Sequence, residues 1–559
     1  MKFIYKVWVS LIIVGFLSSC DLDLLDNPNA VTPDNASVEL VMNNVFIELP
    51  STWVGLSAYY DGVIDLTNPF MRMSAMQGSK LYDQADGPES YDFLWSQIYS
   101  TLIPDLNLVI DRSTADGVTT YSGVAKVLKA YIMFTLVDLF GDVPYSDAFQ
   151  STDKLSPALD DDESVYNAAF AILESAIADL SDPKGTPIAN DLYYSGSIPK
   201  WLKLANTLKL RYYLTTRLVN SNAITEFNNL INNPAAIISA RADDWEFHYG
   251  TNRAAPDSRH QWYSDSYESG GLGIYMANYR MWTMFGEKDT EDPRIRYYFY
   301  RQDCNEDDED FFTLQCQDQP YPFHWPDGWP YCTASSDWGD PAMEYGGYWG
   351  RDHGDDSGIP PDDLKRTVWG VYPAGGKFDA DNCSQVSNGG IDGLKGKGIL
   401  PLIATYNVHF WNAEMKLVSG DEGAARAALE AGVRESIDKV MDFGAADAAG
   451  SSLIPSQAQI DAYVAEVLAM YDSEDTDGKL NVIMKESWLS MQSQGLDAYN
   501  AYRRTCKPEG MQWSLESNPG NFPSTFWYPA SFVNRNENVD QKPNLDVKVF
   551  WDNAGCTRL

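Results

Sequence analysis

The chain has little that would hold a catalytic metal, a nucleic acid or a membrane-spanning helix. Its 559 residues include five histidines, scattered without an HExxH or any paired ligand spacing, and no CxxC, which disfavours a zinc site. No GxSxG elbow is present, and among 79 acidic residues no pair of carboxylates stands out as a glycosidase couple. Basic residues are scarce, 41 against those 79 acids. A formal net charge of −38 disfavours binding to nucleic acid, and also to polyanionic substrates unless a local basic patch exists. Beyond Cys20 no run approaches the roughly 18 apolar residues that a transmembrane helix needs.

What is present is an ordinary globular composition, 44% hydrophobic and 21% charged, which argues against disorder. The first residues are an address and not part of the fold. Lys2 and Lys6 precede an apolar run from Val7 to Leu17, too short to span a bilayer, which ends in Leu17-Ser18-Ser19-Cys20. This is a secretory signal with a lipobox: cleavage after Ser19 exposes Cys20, whose thiol and freed amine take acyl chains such as palmitate. Several chains, at about 0.8 kcal/mol per buried CH₂, anchor stably where one would not. Removing residues 1 to 19 takes away two lysines and no acid, leaving 39 basic against 79 acidic groups. DLDLLDNPNAVTP then reads as a tether. Six further cysteines, Cys304, Cys316, Cys332, Cys383, Cys506 and Cys556, are an even count in an exported chain and permit three disulfides among fifteen pairings.

Helical periodicity dominates both ends. Val127, Leu128, Tyr131, Leu136 and Leu139 keep a rough 3.6 period that predicts a helix over about 122 to 140, stopped by Gly141. Further stripes run through Val165, Ala169, Leu173, Ala176 and Leu180, and from Trp201 through Leu204, Leu208, Tyr212 and Thr215 to Val219. Ala404, Val408, Trp411, Met415 and Val418 begin a hairpin. After the break at Gly420-Asp421 an Ala-rich helix runs to about Phe443, with Ala424, Ala427, Ala428 and Ala431 as the small residues that admit its partner. Between about 241 and 400 the pattern changes to Gly, Pro, Trp, Tyr and Asp without sustained period. Loops that long are disordered or functional, and so many rings argue for the latter.

Five stretches, in this order behind a lipobox, carry a family resemblance: VAKVLKAYIMFTLVDLFGDVPYSDAF (124 to 149), WLKLANTLKLRYYLTTRL (201 to 218), EDPRIRYYF (291 to 299), PLIATYNVHFWNAEMKLVSG (401 to 420) and ESWLSMQSQGLDAYNAYRRT (486 to 505). On these the chain resembles the SusD/RagB outer-membrane lipoproteins over nearly its full length. The resemblance implies a mainly α-helical scaffold with four tetratricopeptide-like helix pairs and a large irregular, loop-rich part that carries the ligand site. It implies a surface lipoprotein in the outer membrane that lies as a lid on a SusC-like, TonB-dependent transporter and captures glycan oligomers for import. The alternatives are the peptide ligands of RagB-like members and, less favoured, a surface glycoside hydrolase; the family implies a binder and not an enzyme. Asp292, Arg294 and the Arg503-Arg504 pair are expected to brace the scaffold and not to touch ligand.

The organisation expected is a signal over 1–19, a tether and N-terminal segment over 20–45, a first helical part over 46–240, an aromatic ligand-binding insertion over 241–400 and a second helical part over 401–559, integrated as one domain over 20–559. Residues 303 to 398 match no family motif, so site residues come from chemistry alone. Sugars combine a hydroxyl edge with an apolar C–H face, and rings on stiff Pro-rich loops suit that face. PYPFHWPDGWPYC, Pro320 to Cys332, is such a loop, and a mini-core packed on itself is the other reading of it. The candidates are Trp325, Trp329, Trp338, Tyr348 and Trp349, with Arg72 and Tyr82 in an N-terminal loop. No cofactor is expected. Calcium is raised by the acidic run Asp303 to Asp310 and by Ser473 to Gly478, a faint EF-hand mimic that lacks its first and twelfth ligands; solvated acidic loops are the favoured reading of both.

Overall fold

The computed structural model describes residues 37–55, 61–76, 82, 86–150, 154–268, 274–302, 348–355, 366–387, 389–556 and 558. The signal, Cys20, most of the tether, the run Asp303 to Asp310, the loop Pro320 to Cys332 and the cysteines at 304, 316 and 332 lie outside the described residues.

Helices build the scaffold. In chain order the principal ones are α1 (Val38–Val54), α2 (Ile103–Ala115), α3 (Thr119–Phe140), α4 (Asp162–Ser181), α5 (Ile198–Thr215) and α6 (Ala223–Ile231), then α7 (Thr405–Val418), α8 (Glu422–Ala448), α9 (Gln457–Ser473), α10 (Thr476–Ser490) and α11 (Gly495–Thr505). Within each set every helix packs on its predecessor, and α5 meets α7 and α11, so the two sets join. Helix α1 begins inside the stretch read as tether, because Met42, Val45, Phe46 and Leu49 form an apolar face that the core takes in. Phe46 stacks on Trp201 of α5, and the Trp53 indole donates a 3.0 Å hydrogen bond to the Tyr131 hydroxyl of α3.

Capping explains several boundaries. The side chains of Asp161, Asp421 and Asp475 each accept a backbone N–H three residues on, and Ser456 and Gln459 form a capping box. The acidic stretch 473 to 478 is thus the start of a helix: Asp475 caps α10, and Asp477 pairs with Lys507 at 2.6 Å. Asp142, Asp161 and Asp162 bring carboxylate oxygens within 4.8 Å of one another. All three are occupied with backbone amides, of Asp162, Ser164, and Phe550 and Glu163 respectively.

Two details correct the periodicity. The stripe through Val219 overruns its helix, since α5 ends at Thr215 and Val219 is exposed. Of the small residues expected at the start of α8 to face its partner, Ala428 is buried, Ala424 and Ala431 are half-buried and Ala427 faces solvent, while Ala425 and Gly432 are buried beside them. Gly432 matters for its missing side chain: a Cβ there would lie 3.1 Å from the Phe410 ring of α7, tighter than ordinary contact, so glycine lets the ring approach without displacement.

The long middle segment is a closed excursion. Trp245–His248 pairs antiparallel with Ile399–Ile403, which zips its two ends together at the scaffold. Inside it Phe299–Tyr300 pairs with Val368–Trp369 and forms a second stem. Trp262 stacks on Trp369 at 4.2 Å, and both belong to the same hydrophobic core as α1 to α5. Near the C-terminus a disulfide joins Cys506, which caps α11 in the left-handed conformation, to Cys556, with Cα atoms 6.4 Å apart. Cys383 is also disulfide-bonded.

Candidate functional site

Three segments of the excursion converge with residues 74–76 and 511–515 from outside it. Residues 74–76 bridge antiparallel to 275–276, with Ala75 N–H donating to Tyr275 O at 2.9 Å. Residues 276–278 run beside 350–351, where Arg351 N–H donates to Met276 O and Asn278 N–H to Arg351 O. Trp349 and Thr367 are joined by Thr367 N–H donating to Trp349 O at 2.8 Å and Trp349 N–H to Thr367 Oγ1 at 2.8 Å. The strip 353–354 then holds 511–515: Leu515 N–H donates to His353 O at 2.9 Å, and His353 N–H donates to Gln512 Oε1 at 3.2 Å. Gly354 has φ +72°, and a Cβ on it would lie 3.0 Å from the Ser514 Cβ, so glycine is needed for this approach.

Under the junction lies a polar relay. Arg72 takes the left-handed backbone conformation, φ +54°, and donates through Nε (2.8 Å) and Nη2 (2.6 Å) to Gln512 O, through Nη1 to Phe70 O, and through Nη2 to Tyr82 Oη at 3.0 Å. Tyr82 Oη in turn lies 3.1 Å from His353 Nε2. Burial, reinforced by the Arg72 guanidinium, holds the His353 imidazole well below its usual range, so it is neutral. A second cationic group surrounds Tyr275: the Arg351 and Arg366 guanidiniums lie 5.0 and 4.7 Å from its ring centroid, all three side chains buried. Among the described residues Arg366 Nε and Nη2 find no hydrogen-bond partner.

The structure therefore brings four of the seven candidate residues into one region, as its floor. None of Arg72, Tyr82, Tyr348 and Trp349 is more than 3% exposed. Tyr348 packs against Phe285 with the Arg301 guanidinium 4.9 Å from its ring centroid, and Trp349 lies within the main core. As placed they offer no face to a ligand; they hold neighbouring strips in position. Trp325, Trp329 and Trp338 lie outside the described residues.

Sequence reasoning missed the residue that the junction turns outward. Met511, Gln512 and Ser514 are buried, while Trp513 and Leu515 between and beyond them are 52% and 40% exposed. The alternation in MQWSLESNPG points the other way, since it puts Met511, Trp513 and Leu515 on one apolar phase; the fold buries Gln512 and Ser514 in place of Trp513 and Leu515, so no sequence signal would have found Trp513.

Among the described residues no helix is long and apolar enough to cross a membrane. Residues 28–318 match a family model, SusD-like, described as starch-binding and associating with the outer membrane. No match is found among curated proteins. Solved structures share the fold across the chain. A SusD homolog from Bacteroides uniformis superposes with a TM-score of 0.65 at 18% identity, covering 92% of this chain and 99% of its own. A SusD/RagB family protein from Bacteroides thetaiotaomicron gives 0.65 at 18%, covering 94% and 100%. A chitin-binding SusD homolog from Flavobacterium johnsoniae gives 0.61 at 17%, covering 92% and 98%.

Proposed function

The chain belongs to the SusD-like family of outer-membrane-associated proteins, and from that premise we propose that it is a lipid-anchored surface protein that binds oligosaccharides and passes them, unaltered, to a TonB-dependent transporter. The observation that carries the reading is the family match over residues 28–318. The chitin-binding relative widens the expected ligand class from starch-like chains to amino-sugar chains. Cys20 is the proposed acylation site, and residues 20–36 would lead from it to α1. The excursion between the paired strands at 245–248 and 399–403 is the proposed ligand-facing part, with Trp325, Trp329 and Trp338 as ring candidates and Arg72, Tyr82, Tyr348 and Trp349 as their support. No cofactor is assigned.

Two measurements test this. Purified mature protein, titrated calorimetrically against an array of starch, chitin, xylan and pectin oligosaccharides, is expected to bind at least one uncharged glycan saturably and to release no reducing ends from it. Saturable peptide binding with no glycan bound would favour peptide import instead. Turnover abolished by a single carboxylate substitution would make the protein a hydrolase. For the anchor, Cys20→Ala is expected to abolish palmitate labelling and release the protein from the membrane fraction; label persisting in the variant would refute the assignment.

A further inference from the structure

We propose that the joint between the two helix sets is built around one buried water molecule bound by Arg211; the proposal is independent of the glycan-binding reading. A cavity of about 10 Å³ lies where α5, α7, α10 and α11 meet, and one water needs about that much room. Arg211 of α5 lines it and is buried, yet its guanidinium is not fully used. Nη2 lies 2.9 Å from Asp497 Oδ1 in an ion pair that is not aligned as a hydrogen bond, and among the described residues neither Nη1 nor Nη2 finds a hydrogen-bond partner. A buried donor on a charged group is costly to leave unpaired, so this position calls for an acceptor.

The lining chooses the occupant. Thr215 of α5, Ser487 of α10 and Asp497 and Asn500 of α11 all contribute to it, whereas the cavities that stay dry are apolar. Charge is matched: the guanidiniums of Arg211 and Arg504 face the carboxyls of Glu414 and Asp497, so a further ion would upset the balance and a neutral molecule does not. Arg504 and Glu414 are spent on each other, and Glu414 also on Arg217, which leaves Arg211 and Asp497 as the pair with bonds to offer. A water between them accepts from the guanidinium and donates to the carboxylate, and its second hydrogen is left for the hydroxyl of Thr215 or Ser487. It thereby ties α5, from the first helix set, to α10 and α11 in the second.

Two experiments test this on the mature protein. A high-resolution crystal structure is expected to show one well-ordered density peak within hydrogen-bonding distance of both Arg211 and Asp497; no peak there would overturn the proposal. An anomalous peak at the same place in crystals soaked in bromide would make the occupant a halide and overturn it too. The second experiment uses an isosteric pair at Ala501, which lines the cavity from α11. Ala501→Thr brings a hydroxyl that can take the place of the water, and Ala501→Val brings a methyl that displaces the water and offers Arg211 nothing, while the two residues have similar helix propensities. The valine variant is therefore expected to melt about 2 °C below the threonine variant. In a dry cavity a methyl is the better filler, so a valine variant that melts at or above the threonine variant would overturn the proposal.

Discussion

Arg294→Ala is expected to destabilise the protein by about 3–5 kcal/mol, the cost of removing one partner from a buried ion pair. Arg294 is fully buried and spends its whole guanidinium. Nε and Nη2 grip Asp292 Oδ1 and Oδ2 at 2.9 and 2.7 Å, Nη1 donates to Ser436 Oγ of α8 and Ser490 Oγ of α10, and Nη2 reaches Glu486 at 3.4 Å. The Tyr463 hydroxyl of α9 lies 3.0 Å from Asp292 and 2.9 Å from Glu486. One side chain from the excursion thus ties three scaffold helices together. Deleting it leaves two buried carboxylates sharing the Tyr463 hydroxyl and the Lys288 amine, 3.0 Å from Glu486. Arg294→Lys should recover little, because a single ammonium cannot reproduce the two-pronged grip on Asp292 while reaching both serines. Denaturant unfolding of the two variants checks this; a loss under 1 kcal/mol in Arg294→Ala would mean that the network is dispensable.

The bracing role of Asp292, Arg294, Arg503 and Arg504 was expected from the family resemblance of the stretches that carry them, and the buried partners these side chains find agree with it. Helices α4, α5 and α7 were legible because apolar residues recur there at helical spacing against polar ones; α3, buried on nearly every side, was legible from its long apolar run and the stop at Gly141. The contrast fails in α8. In an alanine-rich run every face looks alike, so the pattern places Ala428 correctly but names Ala424, Ala427 and Ala431 in place of their neighbours Ala425 and Gly432. The helix expected to end at about Phe443 continues to Ala448, and Gly444 lies inside it, where a Cβ would collide with the Tyr297 ring, so its glycine serves close packing. Pairing of Trp245–His248 with Ile399–Ile403 could not be read from either segment, because each is four or five residues long and its partner lies some 150 residues away. The site suffered most. Ring density drew attention to Tyr348 and Trp349, but density is blind to which way a ring faces, and the folded chain turns these two inward and Trp513 outward.

Glu414→Gln is expected to cost several kcal/mol at neutral pH and to lose that deficit in acid. Glu414 lies on α7 with no exposure, and its carboxylate is the meeting point of two arginines: Oε1 accepts from Arg217 Nε and Arg504 Nε at 2.8 Å each, and Oε2 from Arg504 Nη2 at 2.7 Å. Arg217 follows α5 and Arg504 closes α11, so this carboxylate locks the contact between the two helix sets. Burial by itself would raise its pKa, but the Arg504 and Arg217 guanidiniums more than offset that and hold it at about 2, against an ordinary 4.5. A carboxyl whose pKa is depressed by folding stabilises the native state when both forms are ionised, that is above 4.5, and the contribution fades as pH falls from 4.5 towards 2. That shift is worth about 3 kcal/mol. Glutamine keeps the shape and cannot ionise, so it leaves two buried guanidiniums without their counter-charge at pH 7 and removes this one titration. Other depressed carboxyls, Glu246 among them, titrate alike in both proteins and cancel in the difference. Unfolding free energies of wild type and Glu414→Gln measured at pH 7, 4.5 and 3 should therefore converge as the pH drops. A gap that stays constant across this range would show that the arginines do not depend on the charge of Glu414, and that the joint between the helix sets is held by its apolar packing instead.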